Sequence, residues 1–201
     1  YEHKYEYCDL LITGSGPSGL ASAYAAAQNG AKVILAEDKP RFGGSLLTSE
    51  ATIGNQSGKE WVDTIISKLK SMKNVIVKNR SQVFGYYDHN MLVMSERVSD
   101  HLPETEKYIP KQRLWYIRAK EVVISSGSIE RPLVFGNNDA PGVMLSSAAK
   151  EYLKVYGVLV GKKPIIFTNN DSGYETAIEF KKNGIDPIVL DTRKDPSSEI
   201  I

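Results

Sequence analysis

Cys8-Asp-Leu-Leu-Ile-Thr-Gly-Ser-Gly-Pro-Ser-Gly19 decides how this chain folds. Leu10, Leu11 and Ile12 make a short apolar strand, and Gly14, Gly16 and Gly19 follow at the Gly-x-Gly-x-x-Gly spacing of a dinucleotide-binding turn. The first glycine allows the tight turn, the second lets backbone approach a pyrophosphate, and the third lets the next helix lie close on the strand. The helix N-terminus then offers free amides and its positive dipole end to an anion, with no basic side chain needed. An Ala-rich helix is predicted over 20–29, stopped by Gly30 in the position of a C′ residue. The following strand, Val33-Ile-Leu-Ala-Glu37, ends on an acid about 20 residues beyond the turn, the distance at which a carboxylate reaches the adenosine ribose. A carboxylate there favours a free 2′-hydroxyl over a 2′-phosphate.

Two later segments return to the same crevice. Phe42-Gly-Gly-Ser45 follows the acid closely, and its paired glycines would let a loop close over a pyrophosphate without side-chain obstruction. Lys120-Glu-Val-Val-Ile-Ser-Ser-Gly127 reads as a buried strand running into a Ser/Gly turn at the carboxyl edge of the sheet. Together the three segments resemble the two-dinucleotide-domain flavoproteins related to glutathione reductase. In that group a glycine fingerprint, a Gly-Gly loop and a later Ala-Thr-Gly-like turn surround one nucleotide. Here Ser125-Ser-Gly127 stands in place of the Ala-Thr-Gly.

Length and composition bound the rest. The 201 residues suit one substantial domain and part of another. A hydrophobic share of 41% can build a core, and a net charge of +1 argues against nucleic acid or an anionic membrane as partner. No apolar run approaches the ~20 residues that span a bilayer. Cys8 is the one cysteine, which excludes an internal disulfide and the Cys-x-x-Cys redox chemistry of thioredoxin reductase-like proteins. It reads as a small core residue, in a chain expected to be cytoplasmic. The abrupt start at Tyr1, without initiator methionine or targeting segment, and the end on Ser197-Ser-Glu-Ile-Ile201 predict a piece of a longer polypeptide.

The fold class expected is α/β: a three-layer Rossmann-like FAD/NAD(P)-binding fold with a parallel sheet and an antiparallel β-meander, then the start of a second, degenerate βαβ domain. The first domain is expected over 1–145, with its meander at about 82–118, and the partial second one over 146–201. Trp61, Val62, Ile65, Ile66 and Leu69 recur at helical spacing and predict an amphipathic helix over 57–72, with a strand at 74–77. Residues 82–98 and 113–118 alternate as a meander, joined by a polar, proline-bearing loop over 99–111. Tyr86, Tyr87 and His89 read as structural residues of a half-buried sheet and its hairpin end. Past a turn-rich connector, a helix over 146–155, a strand at 164–168, a helix from 169 and a strand at 187–191 repeat the opening geometry without its glycines. Asn169, Asp171 and Tyr174 stand in that turn, where side chains and a negative charge would crowd a pyrophosphate. The fold is expected to be kept and the ligand affinity lost, leaving Asp191 a strand-end acid with no ribose to hold.

Val83-Phe-Gly-Tyr-Tyr-Asp-His-Asn90, Glu130-Arg-Pro-Leu-Val-Phe135, Asn137-Asn-Asp-Ala-Pro-Gly-Val-Met144 and Phe167-Thr-Asn-Asn-Asp-Ser172 extend the likeness over the whole chain. With them it resembles the α subunits of heterotetrameric sarcosine oxidases. The resemblance implies one component of an enzyme that oxidatively demethylates sarcosine beside β, γ and δ subunits, with FAD on β, FMN at the α/β interface and oxygen as final acceptor. It implies NAD in the α-subunit site; the residues themselves leave FAD open, because both cofactors share an ADP half. No catalytic residue and no metal ligand is expected on this chain. Residue by residue, the resemblance puts Gly14, Ser15, Gly16, Pro17, Ser18 and Gly19 at the pyrophosphate and Glu37 and Asp38 at the adenosine ribose. Lys39, Arg41, Gly43, Gly44 and Ser45 flank the ligand, Val83 lies near the adenine, and Ser126 and Gly127 close the site. Two other readings share these residues. A self-contained FAD-dependent NAD(P)H oxidoreductase is disfavoured by the missing Cys-x-x-Cys and the degenerate second turn. A nucleotide-stabilised structural subunit stays open, since no acid, base or nucleophile constellation stands out.

Overall fold

Strand β1 (Glu2–Thr13) is far longer than its apolar heart. In the computed structural model, which describes residues 2–194 and 196, it lies parallel to β2 (Val33–Ala36) on one side and to β8 (Gln112–Ile124) on the other. Tyr1 and the 197–201 end lie outside the described residues. Strand β5 (Val75–Lys78) extends the parallel set beyond β2. Strands β6 (Ser81–Tyr87) and β7 (Met91–Arg97) add an antiparallel meander beyond β8, giving the order β5-β2-β1-β8-β7-β6. The third meander strand and the strand expected near 120 are one continuous element, so β8 joins the meander to the parallel sheet.

Strand alternation produces the layers. Ile12, Val33 and Leu35 point to one face and bury against α1 (Pro17–Gln28) and α2 (Gly58–Ser71) through Leu20, Ala23, Val62, Ile65 and Leu69. Leu11, Ile34 and Ala36 point to the other face and bury against Leu92, Met94, Trp115 and Ile117 of the meander. A strand covered on both faces must be apolar at every position, and all four residues of β2 are buried. Cys8 belongs to the meander-side cluster, where burial pushes its thiol up to about 12 and leaves it inert.

Local signals fix the helices. Pro17 stands in the first turn of α1, and Gly30 follows the helix at φ +85°, as a C′ glycine should. Helix α2 begins in a capping box between Ser57 and Glu60 and carries Lys68 and Lys70 in its last turn. A short hairpin of β3 (Thr52–Ile53) and β4 (Gln56–Ser57) leads into it. At the end of β6, His89 and Asn90 take positive φ, so His89 shapes the hairpin, its carbonyl accepting from Arg118.

The described residues group into two compact units, one ending at Gly127 and the other beginning at Ser128. The second unit holds α3 (Ser146–Tyr156), β9 (Ile165–Thr168), α4 (Ser172–Lys182) and β10 (Ile188–Asp191), with β9 and β10 parallel. Its core is small: Ala149, Ile166 and Phe180, flanked by Leu153, Ala177 and Ile185. Helices α3 and α4 are tied by Lys150–Glu175 at 2.9 Å and Lys154–Glu179 at 3.1 Å.

Candidate functional site

The three fingerprint glycines do three different jobs. Gly14 turns the chain at φ +97°, and a Cβ there would run into the carbonyl of Ser125. Gly19 lets α1 rest on the turn, since its Cβ would run into the carbonyl of Gly14. Gly16 is different: its backbone, at φ −65°, suits any residue, and a Cβ on it would meet nothing within 4 Å. It faces open space where backbone approach to a ligand is required. No side chain caps α1; Pro17 has no amide and Leu20 donates to the Gly16 carbonyl at 3.0 Å, so the leading amides without a side-chain partner are those of Ser18 and Gly19, with Pro17 and Ser18 exposed.

Glu37 closes β2 and is almost buried, at 6% exposure. Its Oε2 accepts from the Ser15 amide at 2.9 Å and from the Ser15 hydroxyl, and its Oε1 accepts from the Lys39 amide at 2.9 Å. Burial, then a hydrogen bond with Asp38, hold the carboxyl above its usual range against the opposing pull of Ser15 and Lys39. Asp38, Lys39 and Arg41 line an exposed loop. Asn79 and Arg80 anchor that loop, through Asn79 Nδ2 to Pro40 O at 2.7 Å and the Arg80 amide to Lys39 O at 3.1 Å. Sequence reading gave no sign of these two anchors, because a lone Asn-Arg pair has no distinguishing pattern.

The Gly-Gly loop closes onto the phosphate turn by backbone alone. Gly43 donates its amide to Ser15 O and Ser15 Oγ, each at 3.1 Å. A Cβ on Gly44 would sit 3.0 Å from Gly16 Cα. Gly43 and Gly44 both take positive φ, and buried Leu46 pins the 3-10 turn that carries exposed Ser45. On the other side, the Ser125 amide donates to Thr13 O at 2.8 Å, leaving Ser126 and Gly127 exposed just beyond. Val83 is half-buried in β6 and packs against the meander-side core. Gly14 to Gly19, Glu37, the 38–41 loop, the 43–45 loop and the 125–127 turn thus gather at the carboxyl ends of β1, β2 and β8. Open backbone at Gly16, a helix start without a side-chain cap and a buried strand-end carboxylate fit the ADP half of a dinucleotide.

The second unit repeats the strand–turn–helix shape with other contents. Gly173 plays the packing part of Gly19: a Cβ there would press on the Thr168 side chain at 2.7 Å. Gly173 is the second residue of α4 and Gly19 the third of α1, so Tyr174 stands at the third fingerprint position as expected and the packing glycine lies one residue earlier. Thr168 Oγ1 and Asn170 fill the turn, Asn170 Oδ1 accepting from the Ser172 amide at 3.0 Å. Arg193 pairs with Asp171 at 2.8 Å and with Asp191 at 2.7 Å. Among the described residues, no group of three His, Cys, Asp or Glu could hold a metal ion, and no helix is long and apolar enough to cross a membrane.

Comparison with known proteins places these features in a family context. Residues 9–101 match the family model described as FAD dependent oxidoreductase. The chain is 44% identical to the alpha subunit of sarcosine oxidase from Rhizobium meliloti (strain 1021), over 96% of this chain and 20% of that protein. It is 36% identical to the corresponding protein of Corynebacterium sp. (strain U-96), over 98% of this chain and 21% of that one. It therefore spans about one fifth of the length of these relatives. A more distant relative, the soluble pyridine nucleotide transhydrogenase of Pseudomonas putida (strain GB-1), is 27% identical over 62% of this chain and 31% of its own length. Among solved structures, L-proline dehydrogenase from P. horikoshii matches with a TM-score of 0.76 and 24% identity, over 95% of this chain and 37% of that one. That likeness shows the fold.

Proposed function

We propose, from the 44% identity to a sarcosine oxidase alpha subunit over 96% of this chain and the match of residues 9–101 to the FAD dependent oxidoreductase model, that the chain is the dinucleotide-binding module of a multi-subunit, flavin-linked sarcosine oxidase. The observation that carries this is the contrast within the fingerprint. Gly14 and Gly19 are needed by the fold itself, whereas Gly16 is backed by empty space beside an uncapped helix start. Open backbone at that one position serves a ligand.

NAD is the occupant proposed, following the family resemblance, with FAD as the alternative that the match over residues 9–101 favours. Gly14 to Gly19, with Gly43, Gly44 and Ser45, would hold the pyrophosphate. Glu37 and Asp38 would hold the adenosine ribose, with Lys39 and Arg41 alongside, Val83 toward the adenine, and Ser126 and Gly127 closing the site. A bound nicotinamide or flavin supplies hydride or electron transfer. This chain's own residues bind and orient. Amine oxidation is assigned to partner subunits of the β, γ and δ kind, with FAD and FMN held there, in a cytoplasmic assembly that needs neither nucleic acid nor membrane.

Acid release and chromatography of the nucleotide from the purified chain identify the occupant, and an oxygen electrode tests the division of labour. Released NAD, or a flavin with its visible spectrum, supports the reading, together with no sarcosine-dependent oxygen uptake by the chain alone. No dinucleotide, or sustained uptake without any other subunit, would overturn it.

A further inference from the structure

Ser15 lies between the first two fingerprint glycines, yet it is fully buried and cannot offer its side chain to a ligand on the exposed side of the turn. Its bonds run elsewhere. The hydroxyl donates to Glu37 Oε2, and the amide donates to the same oxygen at 2.9 Å. The hydroxyl and the carbonyl of Ser15 both accept from the Gly43 amide at 3.1 Å. One side chain therefore ties together the phosphate turn, the strand-end acid of β2 and the Gly-Gly loop. A hydroxyl is the smallest group that can donate to a carboxylate and accept from an amide at once.

From this geometry we infer that Ser15 is a positioning residue, which sets the adenosine-ribose specificity of the site by aiming the Glu37 carboxylate and holding the Gly43 loop over the turn. The inference rests on the dinucleotide reading above and deepens it. Glu37 is nearly buried, so the direction of its remaining acceptor positions decides what it can meet; with Oε2 doubly engaged by Ser15 and Oε1 taken by Lys39, that direction is fixed. Removing the hydroxyl leaves a buried carboxylate short of a donor and takes from the Gly43 amide one of its two acceptors, without touching the ligand.

The test uses ADP-ribose and 2′-phospho-ADP-ribose, which carry the half shared by NAD and FAD, titrated calorimetrically into the chain. Wild type should prefer ADP-ribose, and in Ser15→Ala that preference should fall about tenfold. Ser15→Thr, which keeps the hydroxyl, should restore it. In a Glu37→Gln background, Ser15→Ala should move the preference no further, because the effect runs through the carboxylate. A Ser15→Ala chain that weakens both ligands equally, leaving the ratio intact, would overturn the inference and leave a merely structural serine. Amide hydrogen exchange on the unsubstituted chain decides the matter even where a variant fails to fold: the Gly43 and Lys39 amides should be protected without ligand, and fast exchange at both overturns the joint. Failure of the wild type to bind either probe would instead overturn the dinucleotide reading, while faster Gly43 exchange in Ser15→Ala than in wild type would still report on the Ser15 hydroxyl.

Discussion

Two strand–turn–helix units in this molecule share a shape and differ in who fills the turn. In the first, Gly16 leaves a gap backed by nothing within 4 Å, and α1 starts without a side-chain cap. In the second, Asp171 stands at the matching helix-cap position and Asn170 takes the Ser172 amide. The strand-end acids diverge in the same way. Glu37 is buried and held above its usual range, while Asp191 is drawn to about 2 by the Arg193 guanidinium hydrogen-bonded to it. Both units keep the glycine that seats the helix, Gly19 on the Gly14 carbonyl and Gly173 on Thr168. The comparison separates what the fold demands from what a ligand demands. A glycine that seats the helix is present in both units, one position earlier in α4 than in α1, whereas the glycine that opens the turn to a ligand is present only in the first.

The sharpest way to break this separation is Gly16→Val. The backbone there accepts any residue and the added atoms meet no protein, so folding should be almost unchanged while nucleotide affinity falls by about a hundredfold or more. Calorimetry beside a thermal melt checks both halves; unaltered affinity would dissolve the distinction. The packing glycines should respond in the opposite sense. Gly19→Ala should cost about 2–3 kcal/mol, since its Cβ meets a backbone carbonyl. Gly173→Ala should cost somewhat less, about 1–3 kcal/mol, because Cβ of buried Thr168 lies at 2.7 Å and cannot rotate away. Urea denaturation ranks the two.

The acids give the finer contrasts. Glu37→Ala should narrow the preference for NAD over NADP by about tenfold, through loss of a charged hydrogen-bond acceptor and of repulsion toward a 2′-phosphate. Equal dissociation constants for the two in wild type would remove Glu37 from that role. The smallest effect belongs to Arg193→Ala, which should return Asp191 from about 2 toward its ordinary 3.8, read by NMR titration. A depressed carboxyl stabilises the fold above its unfolded value and loses that contribution as pH falls through its folded value. The melting temperatures of wild type and Arg193→Ala should therefore differ near neutrality and converge as pH drops from about 4 to about 2. Nucleotide binding should not respond to this substitution at all.

The parts of the fold written in local pattern were legible in the sequence: the glycine turn, the fully apolar β2, the helical stripe of α2 and the alternating meander. The N-terminal half of β1 was hidden because its residues, Glu2 to Tyr7, are largely polar or exposed aromatic and carry no apolar run. Strand β8 was read as two pieces because it changes neighbours along its length, pairing with β7 only up to Arg118 and with β1 throughout. Gly173 looked incidental until Thr168 stood against it. The candidate site was legible as a set of segments, yet the role of Ser15 depends on three of them meeting in space, and no spacing along the chain encodes that.

Nucleotide stoichiometry on the purified chain, stripped of bound cofactor and titrated calorimetrically with NAD and with FAD, tests the central claim most directly. One nucleotide per chain is expected, abolished by Gly16→Val and untouched by Asn170→Gly. Two per chain, or one that survives Gly16→Val, would contradict the account by placing a working site where the second turn is filled.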